Sequence, residues 1–198
     1  MKIDTKTGLL DVATFKPSPN CDERPRESED STRAHTGNST RNNSGISLLV
    51  IHNISLPPGQ FGGPYIEQLF CNQLDPEAHP FFQEIFKLRV SSHLLIRRSG
   101  DIIQYVPFNK RAWHAGVSEF NKKTCCNDFS IGIEMEGTDT DEYEEIQYQK
   151  LIEITEHILG AYPDITKNNI KGHCDIAPGR KTDPGESFDW DKYLNALT

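Results

Sequence analysis

The run Ser47-Leu48-Leu49-Val50-Ile51 constrains this chain more than any other stretch. It is continuous and apolar, and such a run reads as a buried strand. It closes on His52 and Asn53, and Pro57-Pro58-Gly59 cannot continue it. A polar residue at the mouth of a buried strand is a common place for a functional group. Standing alone, His52 would read as a solvated or capping side chain.

A second stretch, Gly172-His173-Cys174-Asp175 through Lys181-Thr182-Asp183-Pro184-Gly185, carries an imidazole, an ammonium and a carboxylate. Imidazole nitrogen and carboxylate oxygen suit zinc. The Pro and Gly between them imply a loop that turns back, bringing His173 and Asp183 to one ion. Lys181, two residues before Asp183, would point to the same side in an extended run. Catalytic zinc usually has three protein ligands and a water, and His52 is the candidate for the third.

From Ser47 on, the elements alternate. Residues 91 to 97 and 102 to 107 read as a hairpin around Arg98-Ser99-Gly100-Asp101, and 129 to 135 as a strand. Short helices are expected over 66 to 70 and 79 to 87. Asp141 with Glu144 reads as a capping box for a helix whose apolar face is Tyr148, Leu151, Ile152, Thr155, Ile158 and Leu159, stopped by Gly160 and Pro163. The expected fold is α/β (α+β): one domain with a central mixed sheet flanked by helices.

Strand alternation puts Glu134 and Glu136 on one face and Ile131, Ile133 and Met135 on the other. By itself that reads as an ordinary solvated strand face. Gly132 permits a close approach by another chain or a substrate.

These pieces come in a recognisable order: Val50-Ile51-His52-Asn53, Arg111-Ala112-Trp113-His114-Ala115-Gly116, Ser130-Ile131-Gly132-Ile133-Glu134, then the stretch from Gly172 to Gly185. The chain resembles the zinc-dependent N-acetylmuramoyl-L-alanine amidases of the amidase-2 group, over roughly residues 46 to 195 and a short piece near the N-terminus. It looks closest to the cytoplasmic type that acts on 1,6-anhydro-muropeptides in cell-wall recycling. The resemblance implies Zn2+ on His52, His173 and Asp183, and Glu134 as catalytic base. Lys181 would stabilise the oxyanion. Glu136 is then a decoy or a support. Asn53, Arg89, Trp113 and His114 are expected at the substrate: Trp113 as a stacking face or a core residue, Arg89 as a partner for a peptide carboxylate. His93, in an apolar run, reads as a packed or supporting histidine. The chain departs from the group's pattern at Cys125-Cys126, where relatives tend to carry a basic residue that Lys122 or Lys123 would have to replace.

Two other functions compete: a peptidoglycan-recognition module without catalysis, which typically lacks a ligand such as Asp183, and an envelope murein amidase. The commonest peptidase pattern, His-Glu-x-x-His, does not occur. A formal charge of -8 without a basic cluster argues against nucleic acid as partner. No apolar run approaches the ~20 residues that span a bilayer, and the N-terminus has no signal pattern. The five cysteines have no regular spacing, which fits a reducing cytosol, with Cys174 expected in the core. A monomer acting on a small muropeptide is expected.

Residues 1 to 21 should pack on the domain through the apolar stretch at 8 to 15. Residues 22 to 45 hold only Ala34 besides polar groups, Pro25 and glycines, and read as an exposed insertion that cannot bury enough area to offset its ordering entropy. Residues 46 to 198 form the zinc amidase domain.

Overall fold

The computed structural model describes residues 1–25 and 45–198. The chain starts with a short hairpin, β1 (Ile3–Asp4) and β2 (Leu9–Leu10), then β3 (Thr14–Phe15) and β4 (Cys21–Glu23). The apolar run is the interior of β5 (Leu48–Ile54). Helices α1 (Tyr65–Phe70) and α2 (Phe82–Ile85) follow, the second shorter than the expected 79 to 87. The expected hairpin is β6 (Leu94–Ile96) and β7 (Ile102–Gln104), paired antiparallel. Then come β8 (Lys110–Ala112), a small ribbon of β9 (Glu119–Phe120) and β10 (Lys123–Thr124), and β11 (Ser130–Glu136). After α3 (Glu145–Ala161) the chain closes with β12 (Ile170–Gly172), α4 (His173–Ile176) and α5 (Trp190–Ala196).

Among the described residues, six strands form the central sheet in the order β12-β5-β11-β6-β7-β3. β12, β5, β11 and β6 run parallel, and β6 and β7 antiparallel, so the sheet is mixed. The parallel strands are buried on both faces. All seven residues of β11 are buried, so the expected solvated face does not exist. Leu49, Ile51, Ile131, Ile133, Met135, Leu94 and Ile96 pack under α3 and α5 through Tyr148, Leu151, Ile154, Ile158 and Tyr193. Full burial of each such side chain stabilises by about 1.5–3 kcal/mol. On α3 the buried face includes Ile154, while Ile152 and Leu159 are only partly buried.

The capping box of α3 lies three residues later than expected. Glu144 is the N-cap and its amide donates to Oε1 of Gln147 at 3.0 Å. Asp141 is committed elsewhere, its carboxylate accepting from the Thr138 hydroxyl at 2.9 Å. Gln147 then ties the helix start to the sheet, donating to the carbonyls of Ile96 and Glu136.

The N-terminal residues join this frame. Ile3 and Leu10 enter the main core, and β3 pairs with β7 at the sheet edge. Most of the expected insertion lies outside the described residues, but its first three residues are no free excursion. β4 extends through Glu23 and pairs antiparallel with β8. The Arg24 guanidinium is enclosed among backbone carbonyls, donating to Phe108, Asn127, Asp128 and Ser130. Composition hid this, because a polar side chain can be anchored by backbone acceptors that no local pattern announces.

Candidate metal centre and active site

The site forms where three parallel strands end. In register, His52 on β5 lies beside Glu134 on β11, and Gly172 on β12 lies beside Ile51. The next residue, His173, therefore emerges next to His52. Carboxyl ends of parallel strands are the usual place for ligands in such sheets. Alternation places Ser130, Gly132 and Glu134 on the face opposite Ile131, Ile133 and Met135.

Asp183 returns to this point from a loop held at both ends. Its carbonyl accepts from the Cys174 amide at 3.0 Å. The carbonyl of Pro184 accepts from Nδ2 of Asn53 at 3.0 Å and from the Tyr143 hydroxyl at 2.7 Å. Gly185 has φ +86, and a Cβ there would come within 2.1 Å of Cα of Asp139, so no other residue fits. His173 opens α4 rather than an open loop, and Cys174 is half-buried in that first turn instead of in the core.

Nδ1 of His52, Nδ1 of His173 and Oδ2 of Asp183 form a triangle with each side 3.0 Å. All three residues are buried. Tetrahedral zinc with bonds of about 2.0–2.1 Å sets its ligand atoms about 3.3 Å apart, so the donor set fits zinc. Burial pushes the His52 imidazole down to about 4 against the pull of Asp183, which keeps it neutral, as a ligand must be. Burial alone would raise the Asp183 carboxyl, but the close contacts with the His173 and His52 imidazoles outweigh it and hold it below the usual range.

Glu134 is buried beside this triangle, and its Oε2 has no hydrogen-bond partner among the described residues. Burial, with the Asp183 carboxylate second, raises its carboxyl well above the ordinary value, while Lys181 pulls it down. A carboxyl lifted in this way holds a proton more readily than an ordinary carboxylate, as a group that takes and returns one must. Lys181 is exposed and lines the same cleft. That cleft, of about 220 Å3, is walled on its apolar side by Phe70, Leu88, Val90 and the half-buried Trp113. A wider groove along Asn53, Asp139, Arg180 and Lys181 adjoins it.

Other expected residues stand differently. Asn53 borders the cleft, but its amide nitrogen is used on Asp139 and Pro184. Arg89 is exposed and does not line the cleft; its guanidinium rests on the carbonyls of Lys87 and Leu88. His114 touches His52, and its ring is what approaches Gly132, where a Cβ would come within 2.5 Å of Cγ of His114. No substrate is needed to explain that glycine. His93 is buried, accepting from the Gly132 amide at 3.0 Å, with its other nitrogen 3.1 Å from the Lys110 carbonyl. Glu136 pairs with Arg97 at 2.9 Å and accepts from the Gly62 and Arg98 amides, so it braces loops. Cys125 is exposed, whereas Cys126 is buried against an apolar cluster with Ala115 and Ile176. Sequence reasoning missed Ser130, Asn127 and Ala115 around the histidines. Period-two alternation from Glu134 already pointed to Ser130; contacts made through backbone atoms or an amide acceptor leave no such signal.

The ends of the parallel strands thus gather two imidazoles, a carboxylate and a buried glutamate, a set that could hold a metal ion and that fits a hydrolase of the amidase-2 group. The model of that family, described as N-acetylmuramoyl-L-alanine amidase, matches residues 28–186, and the chain belongs to it. It is 58% identical over 186 residues to the 1,6-anhydro-N-acetylmuramyl-L-alanine amidase AmpD of Escherichia coli (strain K12), covering 94% of this chain and 92% of that protein. The crystal structure of a selenomethionine AmpD derivative superposes with a TM-score of 0.88 at 52% identity, covering 100% of both chains. The structure of AmpDh3 from Pseudomonas aeruginosa in complex with anhydromuramic pentapeptide gives a TM-score of 0.58 at 29% identity, covering 84% of this chain and 66% of that one.

Proposed function

We propose that the chain hydrolyses the amide between the lactyl group of 1,6-anhydro-N-acetylmuramic acid and L-alanine in small muropeptides, as a zinc enzyme of cell-wall recycling in the cytoplasm. The observation that carries this is the triangle of His52, His173 and Asp183 beside the unpartnered Glu134. The substrate follows from the similarity to AmpD and to a neighbour solved with an anhydromuramic peptide. The five free cysteines fit a reducing compartment.

Zinc, when bound, supplies Lewis acidity: it polarises the scissile carbonyl and makes water acidic near neutral pH. Glu134 takes the proton of the attacking water and returns it to the leaving nitrogen, a role that its raised carboxyl suits. The Lys181 ammonium on the cleft rim meets the charge that develops on the carbonyl oxygen. Trp113, with Leu88 and Val90, offers the sugar an apolar wall. Asn53 acts mainly by holding the Asp183-Pro184 turn.

The test is to incubate the zinc-loaded protein with an anhydro-muropeptide and, separately, with intact murein sacculi, and to identify the products by mass. Release of free stem peptide from the first and little from the second is expected. Efficient cleavage of sacculi would make it an envelope-type amidase, and no cleavage of either would leave a recognition module.

A further inference from the structure

Each ligand imidazole uses one ring nitrogen at the centre and turns the other away. Both outer nitrogens end on one dipeptide. Nε2 of His52 lies 2.9 Å from Nδ1 of His114, and Nε2 of His173 lies 3.0 Å from the carbonyl oxygen of Ala115. The dipeptide is itself pinned, because the amides of His114 and Ala115 both donate to Oδ1 of Asn127, at 3.1 and 2.8 Å. Nε2 of His114 lies 3.1 Å from Oγ of Ser130. Gly132 leaves room for the His114 ring. The Ala115 carbonyl also accepts from Nη2 of Arg180 at 2.6 Å.

Nε2 of His173 also lies 3.3 Å from Nη2 of Arg180, which only donates, but that nitrogen is given to the Ala115 carbonyl at 2.6 Å. The carbonyl, closer to Nε2 and able only to accept, sets the His173 proton on Nε2 and leaves the Nδ1 lone pair to the centre. His52 is set by the direction of the chain through His114, because a serine hydroxyl both donates and accepts. We propose that His114-Ala115 is a tautomer clamp for the metal centre. His52 Nε2–H donates to His114 Nδ1, and His114 Nε2–H donates to Ser130 Oγ. The reverse direction would place a proton on His52 Nδ1, at the corner of the triangle that faces His173 and Asp183. The inference rests on the zinc reading above. It makes His114 a positioning residue rather than a substrate contact, and it gives Asn127 the task of holding both supports. Supports of this kind orient a ligand ring and raise its basicity.

The test begins with the zinc affinity of the unaltered protein, read by competition with a chromophoric chelator. His114→Phe keeps a ring but has no acceptor; His114→Gln offers a carbonyl oxygen to the His52 N–H. His114→Phe should bind zinc about 10–100-fold more weakly, and His114→Gln should recover much of the loss. Melting of the zinc-free variants checks that they fold. Long-range proton–nitrogen NMR spectra of the zinc-loaded unaltered protein should show His52 and His173 both ligated through Nδ1 with the proton on Nε2. These spectra decide the matter even if His114→Phe does not fold. Unchanged zinc affinity in a folded His114→Phe, an effect confined to KM, or His52 ligated through Nε2 would overturn the clamp. If the unaltered protein bound no zinc, the centre itself would fall, and the clamp with it.

Discussion

Glu134 sits in conflict with its surroundings, buried with one oxygen unpartnered and an aspartate nearby. Its carboxyl is raised, so the folded chain binds that proton more tightly than the unfolded chain does. Stability is then lost as pH rises from the ordinary carboxyl range through the raised value. Glu134→Gln removes that burden. The zinc-free variant should melt higher than the unaltered protein at pH 8, with a smaller gain at pH 5, while turnover of the zinc-loaded variant falls by roughly 10²–10⁴. Calorimetry at the two pH values and steady-state rates check both; equal melting at pH 8 would mean that Glu134 is already solvated. Lys181 makes the complementary case. A group that meets charge only in the transition state lowers kcat and kcat/KM together. Lys181→Ala should lose roughly 10²–10³ in kcat with little change in KM and with zinc retained. A KM effect alone would place Lys181 on the ground-state substrate. His52, His173 and Asp183 were legible as one set because their types have few other uses in one motif order. The neighbours of Arg89 and His114 were not legible, because which groups a side chain meets across the fold is not contained in residue identity.

At the scale of elements, β5 was readable because a strand buried on both faces needs a nearly unbroken apolar run, and Leu48 to Ile51 supply it. β11 was readable by its alternation, which did not show that its polar face is buried too. The start of α3 was misread by three residues, since Asp141 and Glu144 both suit a cap and only the Thr138 contact decides between them. β4 was invisible for a similar reason: Cys21-Asp22-Glu23 has no strand pattern and is held by β8 and by the pairing of Asp22 with Arg111. Arg24, just beyond it, serves as a rivet between this edge and β11, donating to the Ser130 carbonyl at 2.8 Å. Leaving buried carbonyls without a donor costs about 1–3 kcal/mol. Arg24→Ala should therefore destabilise the protein by about 3 kcal/mol, a drop in Tm of about 6–12 °C at this chain length. Removing residues 24 to 43 should bring the same loss as the substitution, and removing 26 to 44 should not. Denaturant unfolding of the three variants checks this, and equal stability of the two deletions would dismiss the rivet.

For the whole molecule, the centre joins parts of the chain that are far apart. His52 lies near the end of β5, one strand in from the β12 edge of the sheet, and His173 and Asp183 lie more than a hundred residues later, after α3 has crossed the sheet. Without a cation, two imidazole lone pairs and a carboxylate face one another at 3.0 Å in a buried space, which opposes the packing of β12 against β5. Zinc would turn that opposition into a cross-link present only in the folded state. A ligand that binds only the folded chain stabilises it by about 4 kcal/mol at a thousandfold excess over its Kd. For a chain of this size that is a rise in Tm of about 8–16 °C. Stripping the protein with a chelator should remove this increment, and stoichiometric zinc should restore it. Asp183→Ala should melt at a temperature that barely responds to zinc. It gives the needed contrast, because a non-specific effect of zinc on surface carboxylates would persist in it. An unaltered protein whose melting ignores both chelator and zinc would show that the three residues hold one another by hydrogen bonds alone, and the case for a zinc enzyme would fall.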